Sequence, residues 1–328
     1  MKKTISCILL AAALAMCAGC GTTTTDYEKH SYWLTKDKVD LKEVGSIDET
    51  LVYDITTTAG TSTDFTAELT GTYTVKVKDV NAQEYGFENI DGKIYYLETS
   101  LTVQGQYKAI ALTYDLDDKI DTKVFFKGLG DNLQPLRSER SVICVSPTAN
   151  DSSYDFLHLN YSYVTTYTSS KATTEFTYND AETEKAFKSH NKKFTKSYTK
   201  STYVDNEEML FYLRAFDANT NSFSFNFNTL DAVSQTITPM VCKLNESAPH
   251  EKLTMTFSEN GQQRESKEII TDHFDLSINS DFAGAPIYLW YANESNVNNY
   301  YHRLFKMQSS LPYRMGNLVY TLSSVSYL

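Results

Sequence analysis

Ser222-Phe223-Ser224-Phe225-Asn226-Phe227-Asn228 puts three aromatic rings on alternate residues, with small polar side chains between them. Successive side chains of a strand point to opposite faces. Phe223, Phe225 and Phe227 therefore share a dry face, and Ser222, Ser224, Asn226 and Asn228 share a wet one. The same period of two recurs on either side of this stretch. Tyr73, Val75 and Val77 alternate with Thr74, Lys76 and Lys78, and Tyr95, Leu97, Leu101 and Val103 alternate with Tyr96, Glu98, Ser100 and Thr102. Ile110, Leu112, Tyr114 and Leu116 form a further stripe, as do Leu157, Leu159, Tyr161 and Tyr163. Leu253, Met255 and Phe257 run into Asn260-Gly261, a dipeptide suited to the two positive-φ positions of a tight hairpin turn. Phe274, Leu276 and Ile278, then Ile287, Leu289 and Tyr291, continue the pattern. Strands with one wet and one dry face pair antiparallel and bury their dry faces on each other. The expected fold class is mainly β, with stacked or half-barrel antiparallel sheets.

One segment changes period. Residues 205–216 (DNEEMLFYLRAF) have helical spacing, with Asp205 as the cap and Glu208 three residues on, in the capping-box position. Met209, Leu210, Tyr212, Leu213 and Phe216 would form its apolar face. A single short amphipathic helix among strands plugs an open end or covers a concave face. A weaker helical signal runs from Asp180 to His190, where Glu184 and Lys188 stand at i,i+4; a charged loop is the other reading.

Asp205 to Phe216 resembles a D-N-x-x-M/L-x-x-Y/L-L-R helix found in a family of exported bacterial domains of unknown function. Further text is similar in the same order: Leu133–Ser138 (LQPLRS), Ile287–Ala292 (IYLWYA), Arg303–Met307 (RLFKM) and Gly316–Leu322 (GNLVYTL). The resemblance covers roughly Leu51 to Leu328. It implies two curved antiparallel sheets with one short helix, often behind a lipoprotein signal, and it implies no reaction.

The N-terminus reads as such a signal. Lys2 and Lys3 precede an apolar run from Ile5 to Met16, and Cys17-Ala18-Gly19-Cys20 follows. The run is too short to cross a bilayer, which takes about 20 residues. The expected organisation is a signal peptide over 1–19, a lipidated Cys20 opening a polar tether over 20–45, and one large β domain over 46–328. Two sub-sheets dividing near 180–204 are the variant of that domain. Cleavage before Cys20 would leave 28 Lys+Arg against 41 Asp+Glu, a net of −13. A surface of that sign repels phosphate polymers, so no nucleic-acid partner is expected. The acyl anchor on Cys20 is the expected membrane contact.

Candidate chemistry is sparse. The histidines are isolated, with no pair at i,i+4 around a glutamate. Asp115, Asp117, Asp118 and Asp121 form an acidic knot, but an EF-hand loop would need Gly at position 120 and Glu at 126, where Ile120 and Phe126 stand. No cofactor or metal is therefore expected. Cys144 and Cys242 lie in strand-like text and are either a disulfide pair or two separately buried thiols. Tyr288, Trp290 and Tyr300 are candidate ligand-facing aromatics, with half-buried sheet filling as the other use of such rings. The reading is a noncatalytic, membrane-tethered envelope protein binding a lipid, a glycan or another hydrophobic or polymeric envelope ligand. A structural or assembly factor acting through envelope-protein contacts is the alternative, and a glycan-active enzyme is the third.

Overall fold

Among the described residues the chain forms seventeen strands, and the longer ones mostly alternate wet and dry residues. The computed structural model describes residues 48–109, 112–128, 133–150, 153–215, 223–263, 266–279, 284–293, 295–296, 300 and 302–327. The signal-like segment, Cys20 and the tether to residue 45 lie outside these. In chain order the strands are β1 (Asp48–Ala59), β2 (Phe65–Asn81), β3 (Lys93–Ala109), β4 (Leu112–Phe126), β5 (Pro135–Asn150), β6 (Ser153–Tyr167), β7 (Lys171–Tyr178) and β8 (Lys193–Ser197). They continue as β9 (Ser224–Asp231), β10 (Thr236–Leu244), β11 (His250–Met255), β12 (Ser258–Glu259), β13 (Gln262–Gln263), β14 (Lys267–Ile278), β15 (Ile287–Ala292), β16 (Leu304–Ser310) and β17 (Gly316–Tyr327).

The strands form a mainly antiparallel ladder. From β1 to β8 each strand pairs with the next. β1 also pairs with β17, and the ladder returns through β16, β15, β14 and β10 to β9. β11 continues the line of β10 along β14. The ladder is open, with β8 and β9 at its ends. Near that seam, Tyr203 makes an isolated parallel bridge to Asn228, and the Val204 amide donates to the Asn228 carbonyl at 2.9 Å. Asn260 and Gly261 do take the positive φ values of a tight turn, 47° and 76°. The hairpin they close is only the two-residue pair β12–β13, because β12 leaves it to run parallel to β17.

The inner face holds the expected stripes. Leu97, Leu101 and Val103 are buried, as are Leu159 and Tyr161, Phe274, Leu276 and Ile278, and Ile287, Leu289 and Tyr291. Leu112 is an exception at 53% exposure, because it opens β4 at the hairpin tip. The backbones of β2 and β3 approach closely at Gly105. At Gly105, with φ +141°, an added Cβ would lie 2.0 Å from the Glu68 carbonyl oxygen, so only glycine fits. A second, small core lies on the outer face, where the turn Ala82–Tyr85 folds over Val80, Ile94, Tyr96 and Phe125.

The weaker helix forms as α1 (Ala181–Ala186), with Asp180 accepting the Thr183 amide at 2.6 Å. Glu184 pairs with Lys192 at 2.7 Å rather than with Lys188. The expected helix over 205–216 is shorter than its pattern. Asp205 Oδ1 accepts the Glu207 amide at 2.8 Å, a turn follows, and only Met209–Tyr212 (α2) is α-helical before a 3-10 turn at Leu213–Ala215. Phe216 lies outside the described residues.

Candidate functional site

A curved sheet with a dry inner face could hold a ligand inside, so the interior is the first place where a function would show. Residues 203–215 occupy it. Contacts to this segment come from strands around the whole ladder. Phe211 packs against Tyr95 of β3 and Phe126 of β4, and Tyr212 stacks on Phe225 of β9. The Tyr291 hydroxyl of β15 donates to the Leu210 carbonyl at 2.8 Å.

The segment is buried on its polar side too, which a helix with one wet face would not be. Asp205, Asn206, Glu208 and Arg214 are all buried. Charges taken out of water need opposite charges or hydrogen bonds. Asp205, Glu207 and Arg214 find them on the sheet wall. Arg214 Nη1 donates to Glu49 Oε1 and Arg303 Nε to Glu49 Oε2, each at 2.7 Å. Burial alone would raise the Glu49 pKa, but the two guanidiniums outweigh it and hold the carboxyl at about 2. Arg140 of β5 is ion-paired with Glu207, which also accepts from Asn206 at 3.1 Å and from the Tyr163 hydroxyl at 3.3 Å. Asp205 is bonded to the Tyr167 hydroxyl, which also meets the Tyr203 hydroxyl at 3.2 Å. Burial, reinforced by the nearby Glu207 carboxylate, pushes Asp205 up to about 6. Between Glu207, Leu210, Arg214 and the inner faces of β1 and β2 a cavity of about 20 Å³ remains. That is about the room one water molecule needs, and far below that of an acyl chain or a sugar ring.

The candidate aromatics fall in two places. Tyr300 is a core ring, set edge-on to both Phe257 and Phe305, and buried; it does not face a ligand. Tyr288 and Trp290 do lie on the outer face of β15. Trp290 is nevertheless covered, with 5% exposure. His273 of β14 stacks on it at 4.4 Å, Lys306 of β16 lies 4.2 Å from its ring centre, and its indole N–H donates to Glu251 Oε2 at 3.0 Å. The His273 imidazole sits between two carboxylates, 3.1 Å from Glu251 and 3.8 Å from Asp275. The imidazole occupies the space where a substrate bond would have to lie between a catalytic acid pair. Tyr288 is half-buried beside it, 5.6 Å from His273.

Cys144 and Cys242 are both buried thiols, on β5 and β10, and the structure holds no bridge between them. Burial pushes the Cys242 thiol pKa up. A buried protonated thiol is a small apolar filler and a poor nucleophile. Cys20 lies outside the described residues. No group of three or more His, Cys, Asp or Glu among the described residues is placed to hold a metal ion.

The acidic knot separates into two faces. Asp115, Asp117 and Asp121 point outward, while Asp118 stands in the inner stripe between Leu116 and Ile120 and is 1% exposed. Its Oδ1 accepts the Val145 amide at 2.8 Å. Burial raises its carboxyl to about 7, against the lowering effect of that amide. The period of two that marks Leu116 as inward-facing marks Asp118 as well, although its acidic neighbours Asp115 and Asp117 face solvent.

No family model matches this chain, and no curated protein matches it. Among solved structures it is similar to a beta-barrel-like protein of a domain of unknown function, DUF1849, from Brucella abortus. The identity is 10%, the TM-score is 0.47, and the match covers 86% of this chain and 98% of that one. A score at that level fixes neither a family nor an activity.

Proposed function

We propose that this chain is a noncatalytic, membrane-tethered envelope lipoprotein that acts through its outer sheet faces and strand edges on other envelope components. The observation that carries the reading is the filled interior. Residues 203–215 take the space a lipid carrier would keep for its cargo, and Arg140 and Glu49 fix them there through Glu207 and Arg214. Binding is therefore assigned to the outside, and structural or assembly work through protein contacts comes ahead of lipid handling. The tether follows from the sequence reading of Cys20.

The test is extraction of the full chain from its native membrane after in-situ crosslinking, with lipid analysis of the purified protein. The expected result is discrete protein–protein crosslinks, and no extractable lipid at stoichiometric level beyond the covalent anchor. A stoichiometric extractable lipid would sink the reading.

A second reading, glycan contact, draws on one outer row. Asp275, Tyr288 and Gln308 stand opposite one another across β14, β15 and β16, giving a half-buried ring flanked by polar groups. Tyr288→Ala would then weaken binding to soluble envelope glycan fragments; unchanged binding, or none by the parent protein, removes this reading.

A further inference from the structure

The outer rim of the ladder has a break between two of its longest hairpins. β3 and β4 pair over their whole length, from Ala109 opposite Leu112 to Tyr95 opposite Phe126. β5 and β6 likewise pair from Asn150 opposite Ser153 to Arg137 opposite Thr166. Between the hairpins, β4 and β5 pair only from Lys119 opposite Ile143 to Phe126 opposite Pro135. Past Lys119 the hairpins part, and the reasons are local. Continuing the register would bring Pro147, which has no N–H, opposite Asp115. At the break itself the Asp118 carboxylate takes the Val145 amide. Among the described residues, no strand pairs with Leu112, Thr113, Asp115, Leu116 or Asp117 on the side away from β3.

An edge of this kind offers backbone donors and acceptors at strand spacing, so its natural occupant is another extended chain. Pro147 blunts the β5 side, which leaves β4 as the receiving edge. The side chains along β4 say what chain fits. Leu116 faces the dry inside, and Asp115 and Asp117 face out. Asp115 accepts from Gln106 at 2.8 Å, and Asp117 stands opposite Gln104, so neither acid faces a cation across β3. Lys108 and Lys119 are engaged with Glu68 and Asp121.

We propose that the edge of β4 over Leu112–Asp118 binds an extended peptide segment of a partner protein, apolar on alternate residues and basic on the residues between. The inference rests on the reading of a protein that works by outside contacts and names the contact.

The experiment uses the mature chain from residue 20 with Cys20→Ser, so that it is free of lipid. The probes are a short synthetic peptide alternating valine and lysine, and its valine–glutamate counterpart. Amide hydrogen exchange should show new protection confined to residues 112–118 with the lysine peptide, and none with the glutamate peptide. Asp115→Lys with Asp117→Lys should weaken binding on the order of tenfold, as loss of two exposed charge pairs implies. Both sites are exposed, so the thermal transition of the double variant should match the parent's. Equal binding of both peptides, protection elsewhere, or no binding would overturn the inference. So would protection of 112–118 already present in the mature chain and lost on deleting residues 21–45, since the tether would then be the occupant. Crosslinks captured in the native envelope that map away from β4 would defeat this inference while leaving the proposed function standing.

Discussion

Glu49 enters the interior from the first turn of β1 and shares its carboxylate between Arg214 and Arg303. Its partners lie 165 and 254 residues away in the chain. Glu49→Gln keeps the shape and removes the charge both guanidiniums face, so denaturant unfolding should show a loss of about 3 kcal/mol or more. A loss under about 1 kcal/mol would mean that water reaches the cluster. Asp118 and Asp205 act in the opposite sense with pH. Their folded pKa values, about 7 and about 6, lie above the unfolded carboxylate value, so the folded state binds the extra protons. Their contribution is full below about pH 4 and is lost as pH rises through 6 to 7. Glu49 is depressed to about 2, so its contribution is present above its unfolded value and is lost as pH falls toward 2. Stability should therefore peak near pH 4 and fall between about pH 4 and 7. Asp118→Asn should stabilise the protein at pH 8 by on the order of 2–4 kcal/mol and flatten the fall between about pH 4 and 7, as read from melts across pH. A melt profile unchanged by the substitution would remove Asp118 from this account.

At the scale of elements, strand text proved readable because its signal is local. Phe223, Phe225 and Phe227 pack inward, as do the stripes of β3, β6, β14 and β15. The helical spacing over 205–216 marks the right segment, but the helix itself is shorter than its pattern. Asp205 opens the turn that leads into α2, whose own N-cap is Glu208, and α2 is one turn long with Met209, Phe211 and Tyr212 buried. Its polar residues looked solvent-facing because sequence spacing cannot show that Arg140 and Glu49 wait on the opposite wall. The close approach of β2 and β3 was also not legible, since Gly105 reads as an ordinary turn residue in text. Gly105→Ala meets both the Glu68 carbonyl and a positive φ, so it should cost about 3 kcal/mol or abolish folding. Soluble yield and melting temperature check this; a loss below about 1 kcal/mol would show that β2 and β3 can move apart there.

For the whole molecule, the sequence reading makes Cys20 the fixed end of a tether that enters the body at β1. β1 is paired on both sides, with β2 and β17, so the tether would attach to an interior strand of the ladder rather than to an edge. Cys20→Ser should move the full-length protein from the membrane fraction to the soluble exported fraction with its melting temperature unchanged. Retention in the membrane would sink the lipid-anchor reading. By itself the sequence determined that the chain is mainly β and which residues of most strands face inward, because period two is written in neighbours. It also marked the segment in which a short helix lies. Only the tertiary structure decided that the interior is filled, that Glu49, Arg140, Glu207, Arg214 and Arg303 form its charged lining, and that Trp290 and Tyr300 are covered. Those outcomes depend on side chains brought together from strands scores or hundreds of residues apart, and no local pattern records which strands become neighbours.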